Sequence, residues 1–159
     1  MVNEVAKTCS MSFIPGNVPS LKNSKIKTSK GIFPSKTVSK YLKSFGISSY
    51  SSEKKIVSIQ KKFNGNRFID YFLKEELDKI NELRKEKKPI CIGFHFIRDS
   101  KRRFDFGNAC QIICDLMTAY DIIEDDNMDC LIPIPLMVDY NWYSYDKENP
   151  GVLIKVINE

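Results

Sequence analysis

Residues 90–136, ICIGFHFIRDSKRRFDFGNACQIICDLMTAYDIIEDDNMDCLIPIPL, decide how the chain is read. They divide into a strand, a charged loop, a helix, an acidic turn and a second strand. In the opening ICIGFHFI, Ile90, Ile92, Phe94 and Phe96 fall on one face, and Cys91, Gly93, His95 and Ile97 on the other. Both faces are largely apolar, as in a strand covered on both sides at the centre of a sheet. RDSKRRFDFG is a charged loop. In NACQIICDLMTAY the spacing predicts a helix that buries Ala109, Ile112, Ile113, Leu116, Met117 and Tyr120. Asn108, Gln111 and Asp115 recur at intervals of three and four on its other side. EDDN forms a turn and MDCLIPIPL a strand. Pro133 and Pro135 cannot donate to a ladder, which places that strand at an edge or ends its pairing early.

The flanking segments extend this pattern. SMSFIPGNVPS reads as a short strand broken by Pro15, Gly16 and Pro19. The lysine-rich stretch at about 20–40 reads as a loop. Val38, Tyr41, Leu42 and Phe45 are helically spaced, with Gly46 as the stop. ISSYSSEKK is serine-rich and reads as a connection. NRFIDYFLKEELDKINELRKEKK reads as one helix with a stripe of Ile69, Phe72, Leu73, Leu77, Ile80 and Leu83, ended by Pro89. YNWYSYDKENPG is an aromatic loop with a turn, and VLIKVI is a last strand. Strands and helices in this order give an α+β domain over residues 1–159: a mixed β-sheet with helices packed on one side.

Size and composition fit this reading. The chain has 159 residues, 42% hydrophobic and 28% charged, which suits one globular domain. No apolar run is long enough for a membrane span, and the N-terminus lacks the apolar centre of a signal peptide. Five cysteines with no CxxC pair argue for reduced thiols and a cytoplasmic setting. The net charge of +5 is unevenly spread. Between Val5 and Ser52 there is no acid, while Lys22, Lys25, Lys27, Lys30, Lys36, Lys40 and Lys43 are present. From Asp121 onward only Lys147 and Lys155 oppose the acids. Such lysines attract a polyanion, although an uneven solvated surface would look the same.

Few side chains can carry chemistry. One histidine and scattered cysteines do not supply a zinc site, and His95, in mid-strand, reads as structural. No nucleotide-binding or acyl-transfer motif is present. The carboxylates are left. Asp105 stands where an aspartate caps a helix, and Asp125 and Asp126 stand in a turn that favours aspartate. Each has that ordinary reading. Gathered in space they would repel one another unless a hard cation neutralised them, and magnesium takes oxygen ligands. Arg98, Lys101, Arg102 and Arg103 would then hold phosphates beside the ion. A helix of about 13 residues runs roughly 20 Å, so whether the acids meet is set by topology, which spacing does not decide.

With these residues in view, RRFDFGN followed by the closing Asp125–Asp126 pair resembles the core motif of the RusA family of Holliday-junction resolvases. That pattern has basic residues, Asp-x-Asp-Asn, a lysine three residues on, a later helix Asp and a final Asp-Asp. Asp105, Asn108, Asp115, Asp125 and Asp126 match it in register, and FIPGNVPSLKNSK looks like the family's opening strand and Pro/Lys loop. Two positions depart from it: Gly107 replaces the second Asp and Gln111 the lysine. The first change weakens metal binding and the second removes a phosphate or nucleophile partner. Asn108 or Asp115 can compensate as oxygen ligands.

The resemblance implies a homodimer that binds branched DNA such as four-way junctions and nicks it by magnesium-dependent phosphodiester hydrolysis, with manganese as a substitute ion. Asp105, Asp125 and Asp126 would be catalytic, with Asp105 and Asp126 holding the metal, Asp125 a second ligand or orienting group, and Asn108 and Asp115 further candidate ligands. Lys22, Lys25, Lys27, Lys30, Lys36, Arg98, Lys101, Arg102, Arg103 and Gln111 would face DNA. No small-molecule cofactor or membrane partner is expected. Gly107 and Gln111 also suit a relative that binds branched DNA without cutting it. A protein-interaction module using the acidic C-terminal half is a third reading. Tyr140, Trp142, Tyr143 and Tyr145 either pack a hairpin or dimer contact, which is the commoner use, or stack on opened bases.

Overall fold

The computed structural model describes residues 10–19, 25–28, 31–34, 36–51 and 56–158. Its main sheet has the order β1 (Ser12–Pro15), β9 (Gly151–Val156), β6 (Ile90–Arg98), β7 (Leu131–Pro135), with the short β8 (Ser144–Tyr145) also paired to β6. β1 and β6 run antiparallel to β9, while β7 and β8 run parallel to β6, so the sheet is mixed. β6 is central and the proline-bearing β7 lies at the edge of the main path, as its sequence requires.

The register sets the layers. Ile92, Phe94 and Phe96 face Val156, Ile154 and Val152 across the β6–β9 ladder, and Ile14 faces Val152 across β1–β9. These residues form one buried cluster with Val38, Tyr41 and Leu42 of α1 (Lys36–Lys43), Ile80 of α2 (Lys74–Lys85) and the buried side of α3 (Phe106–Ala119). The buried side chains of all three described α-helices therefore meet the same side of the sheet. On the opposite side the described residues form a small cluster of Met11, Ile97 and Leu153, with Phe13, Leu136 and Val138 against it.

Three segments fold differently from their sequence reading. The lysine-rich stretch contains a hairpin, β2 (Lys25–Thr28) with β3 (Gly31–Pro34), rather than a continuous loop. The serine-rich connection is the strand β4 (Ile47–Ser51), paired with β5 (Ile56–Ile59). Serine favours turns through its own hydrogen bonding, but here Ser48 donates across the ribbon to the Ser58 carbonyl. A register shift between Ile47 and Ser49 lets both Ile47 and Tyr50 turn inward. The long helix is divided: a 3-10 turn over Phe68–Tyr71, extended backbone at Phe72 and Leu73, then α2. The Asp70 carboxylate accepts from Arg67 N at 2.7 Å, and Leu73 N donates to Ser12 Oγ on β1 at 3.0 Å. The break puts both Phe68 and Phe72 into the core, Phe68 edge-on to Phe45. Gly46 does end α1, with φ +79°, and Phe63 packs so close that a Cβ would clash.

Candidate acidic site on the third helix

Helix α3 links the parallel strands β6 and β7. Its start and end are both built by local chemistry. Asp105, exposed, adopts extended backbone and its Oδ1 accepts from Asn108 N at 3.1 Å, satisfying a free first-turn amide. At the other end Asp121 takes φ +55°. Asp121 N donates to Thr118 O and Ile122 N to Met117 O, the paired closing bonds of a Schellman turn. Arg84 of α2 clamps this turn, donating to the Asp121 carbonyl at 2.7 Å and its carboxylate at 3.0 Å. Ile122 and Ile123 then bury themselves, folding the chain back along the helix.

The return brings Asp126 beside α3. Burial and the nearby Asp126 and Asp115 carboxylates push the Cys114 thiol up to about 12. Burial, the hydrogen bond to Asp115 and the charges of Asp115 and Asp126 likewise raise the Tyr50 phenol well above its usual range. Asp115 and Asp126 thus share one neighbourhood with Tyr50 and Cys114. Asp115, on the side of α3 opposite its apolar stripe, is nonetheless only 5% exposed. The β4–β5 ribbon covers that side. Tyr50 donates its hydroxyl to Asp115 Oδ2, and Gln111 Nε2 donates to Asp115 Oδ1 at 3.2 Å. Tyr50 is the residue that sequence reading missed, and its only signal was one aromatic in a serine-rich run.

The remaining candidates stand elsewhere. Asp125 builds the turn: its Oδ1 accepts from Asp126 N at 2.7 Å and its Oδ2 from Asn127 Nδ2 at 3.0 Å. Asp105 precedes Asp115 by about 15 Å of helix rise, further than two aspartate side chains reach around one ion. Among the described residues, no three or more His, Cys, Asp or Glu side chains gather closely enough to hold a metal ion. The acids that share one neighbourhood are therefore Asp115 and Asp126. Magnesium is commonly held by one or two carboxylates, with waters and substrate phosphates completing its shell. Asn108, half-buried, lies near the start of α3 with Asp105, away from that pair.

The basic candidates divide as well. Lys22 and Lys30 lie outside the described residues, and Lys25 and Lys27 fall on β2. Lys36 lines an open groove of about 470 Å³ with Ser39, Lys40 and Lys43, on the side of α1 opposite its buried residues. Lys101, Arg102 and Arg103 are exposed on the β6–α3 connection. Arg98 is half-buried. It donates to the Val18 carbonyl and lies over the Phe104 ring at 4.8 Å, and burial lowers its pKa. Its guanidinium is thus committed to packing more than to a phosphate. His95 is structural, with Nδ1 at 2.8 Å from the Leu136 carbonyl and Nε2 at 2.7 Å from Ser144 Oγ.

No family model matches the chain, and no curated protein or solved structure matches it. No helix among the described residues is long and apolar enough to cross a membrane. Cys91, Cys110, Cys114 and Cys130 are free thiols.

Proposed function

We propose that this protein is a magnesium-dependent endodeoxyribonuclease acting on Holliday junctions or other branched DNA, of RusA type and working as a homodimer. The observation that supports the reading is that Asp126, returned by the turn after α3, shares the neighbourhood of Tyr50 and Cys114 with the buried Asp115. A divalent cation between the two carboxylates would neutralise both. The ion, manganese in place of magnesium if need be, would lower the pKa of a bound water and neutralise charge on a phosphodiester. Tyr50 and Gln111 orient Asp115 for that task. The lysines of α1 and the exposed Lys101, Arg102 and Arg103 supply phosphate contacts that fix DNA without reading its sequence.

Asp105 and Asp125 take supporting places in this scheme. The first starts the helix that carries Asp115, and the second shapes the turn that carries Asp126. The test is incubation of a synthetic four-way junction with the protein and magnesium. Paired nicks are expected, and none with chelator. Asp126→Asn should bind the junction and leave it whole. If Asp126→Asn cuts at the native rate, the assignment of the acids is wrong.

The commitment of Asp115 to Tyr50 and Gln111, together with Gly107 and Gln111 in place of Asp and Lys, favours a second reading. In it the protein holds branched DNA without cutting it. Tight, salt-sensitive junction binding with no product at any magnesium or manganese concentration would select that reading.

A further inference from the structure

Beyond the acids, the C-terminal end of β6 carries an aromatic surface that the hydrolytic scheme does not use. β8 pairs there with Ile97 and Arg98, and the His95–Ser144 hydrogen bond pins the same segment from beneath. From this anchored base Trp142 and Tyr143 stand 58% and 54% exposed. With Phe104, Phe106 and Pro135 they line an open cavity of about 480 Å³, a size typical of small-ligand sites. A second hollow of about 680 Å³ continues along the loop to Lys101, whose Nζ lies 5.5 Å over the Tyr145 ring.

The tip of this loop is held at a cost. Val138 and Asn141 exchange both backbone hydrogen bonds around a two-residue turn. Its central residues, Asp139 and Tyr140, have φ +51° and +64°. Both positions favour glycine or asparagine in such a turn. A tyrosine there is uncommon, and Tyr140 gains no packing from it, being 95% exposed. Its ring is displayed to solvent rather than folded in.

We infer that the Tyr140–Tyr145 loop, with Phe106 and the rim cation Lys101, is a stacking site for unpaired nucleobases of single-stranded DNA. Flat rings accept any base face, and stacking needs no sequence. Charge complementarity favours a nucleic acid over an apolar peptide, because Lys101 lines the second hollow and Arg102 and Arg103, next to it in the chain, are exposed. Of the carboxylates in this loop, Asp146 turns away to accept from Glu148 N and Asn149 N. The inference rests on the DNA reading above and deepens it: the substrate would be branched DNA with unpaired nucleotides at the branch.

Trp142 is the sole tryptophan, so its fluorescence reports this loop alone. The full chain is titrated with oligothymidylate and with a duplex of equal length, each also labelled to follow binding by anisotropy. Stacking predicts that the single strand quenches Trp142 and the duplex does not. Tyr140→Gly relieves the turn, so it should raise the unfolding temperature. It should also weaken single-strand binding about tenfold and leave duplex binding unchanged. Trp142→Ala should weaken the single strand at least as much. The inference is overturned if the single strand binds without changing Trp142 emission, or if both variants bind it as the native chain does. It is also overturned if Trp142 emission shifts with protein concentration alone, which would make the rings a contact between two copies. If neither DNA is retained at low salt, the DNA reading itself falls, and the two failures are thereby told apart.

Discussion

Tyr50 donates its hydroxyl to Asp115, and both are nearly out of solvent. A hydrogen bond to a sheltered charged group contributes about 1.5–3 kcal/mol. Tyr50→Phe should therefore lower stability by that order in urea unfolding, with the slope unchanged. A loss below about 0.5 kcal/mol would mean that the bond is not made in solution. Glu76 offers a second test. Its Oε2 accepts from Val156 N at 3.1 Å, while Oε1 is buried with no hydrogen-bond partner among the described residues. Burial raises its pKa, against the lowering influence of the Val156 amide, Lys79 and Lys155. The folded chain thus holds this proton more tightly than the unfolded chain. Stability from this group is fully present below the unfolded value and is lost as pH rises through the folded one. Glu76→Gln should gain in unfolding temperature relative to the native chain as pH is raised from acid to neutral. A difference independent of pH would contradict the burial of this carboxylate.

At the scale of elements, the β6–α3–β7 unit is the part that sequence alone made legible. Its apolar alternation, its helical spacing and its prolines each act locally, and each lands where its period requires. The cap at Asp105 was legible for the same reason. The β4–β5 ribbon was not, because serine's turn chemistry outweighs one buried tyrosine, and the pairing that makes it a strand is tertiary. The break before α2 was also hidden, since Leu73 N finds its partner in Ser12, 61 positions away. Which acids come near one another is likewise set by tertiary structure rather than by local pattern. Asp105, Asp115, Asp125 and Asp126 look alike in the sequence, and only the turn after α3 brings Asp126 back beside the helix that carries Asp115. Asp105→Ala should cost about 0.5–2 kcal/mol of stability, whereas Asp105→Asn, itself a good cap, should cost little. Thermal unfolding of both variants checks this. If Asp105→Asn keeps its stability yet loses junction cleavage, Asp105 does more than start the helix.

For the whole molecule, part of the chain's basic charge is gathered on one helix. Lys36, Lys40 and Lys43 line one groove of α1. DNA held by lysines gives an affinity that falls with salt at a slope near −0.9 per phosphate neutralised. Replacing the three α1 lysines with alanine should reduce the magnitude of the slope by up to about three, with the fold retained. An unchanged slope would move the DNA path off α1. The central claim is that Asp115 and Asp126 together hold a divalent ion beside DNA. Its most direct test is the anomalous scattering of manganese in crystals of the protein with a four-way junction. The account predicts a manganese peak at coordination distance from both carboxylates and from a DNA phosphate. A map with manganese bound elsewhere, and these two carboxylates bare, would contradict it.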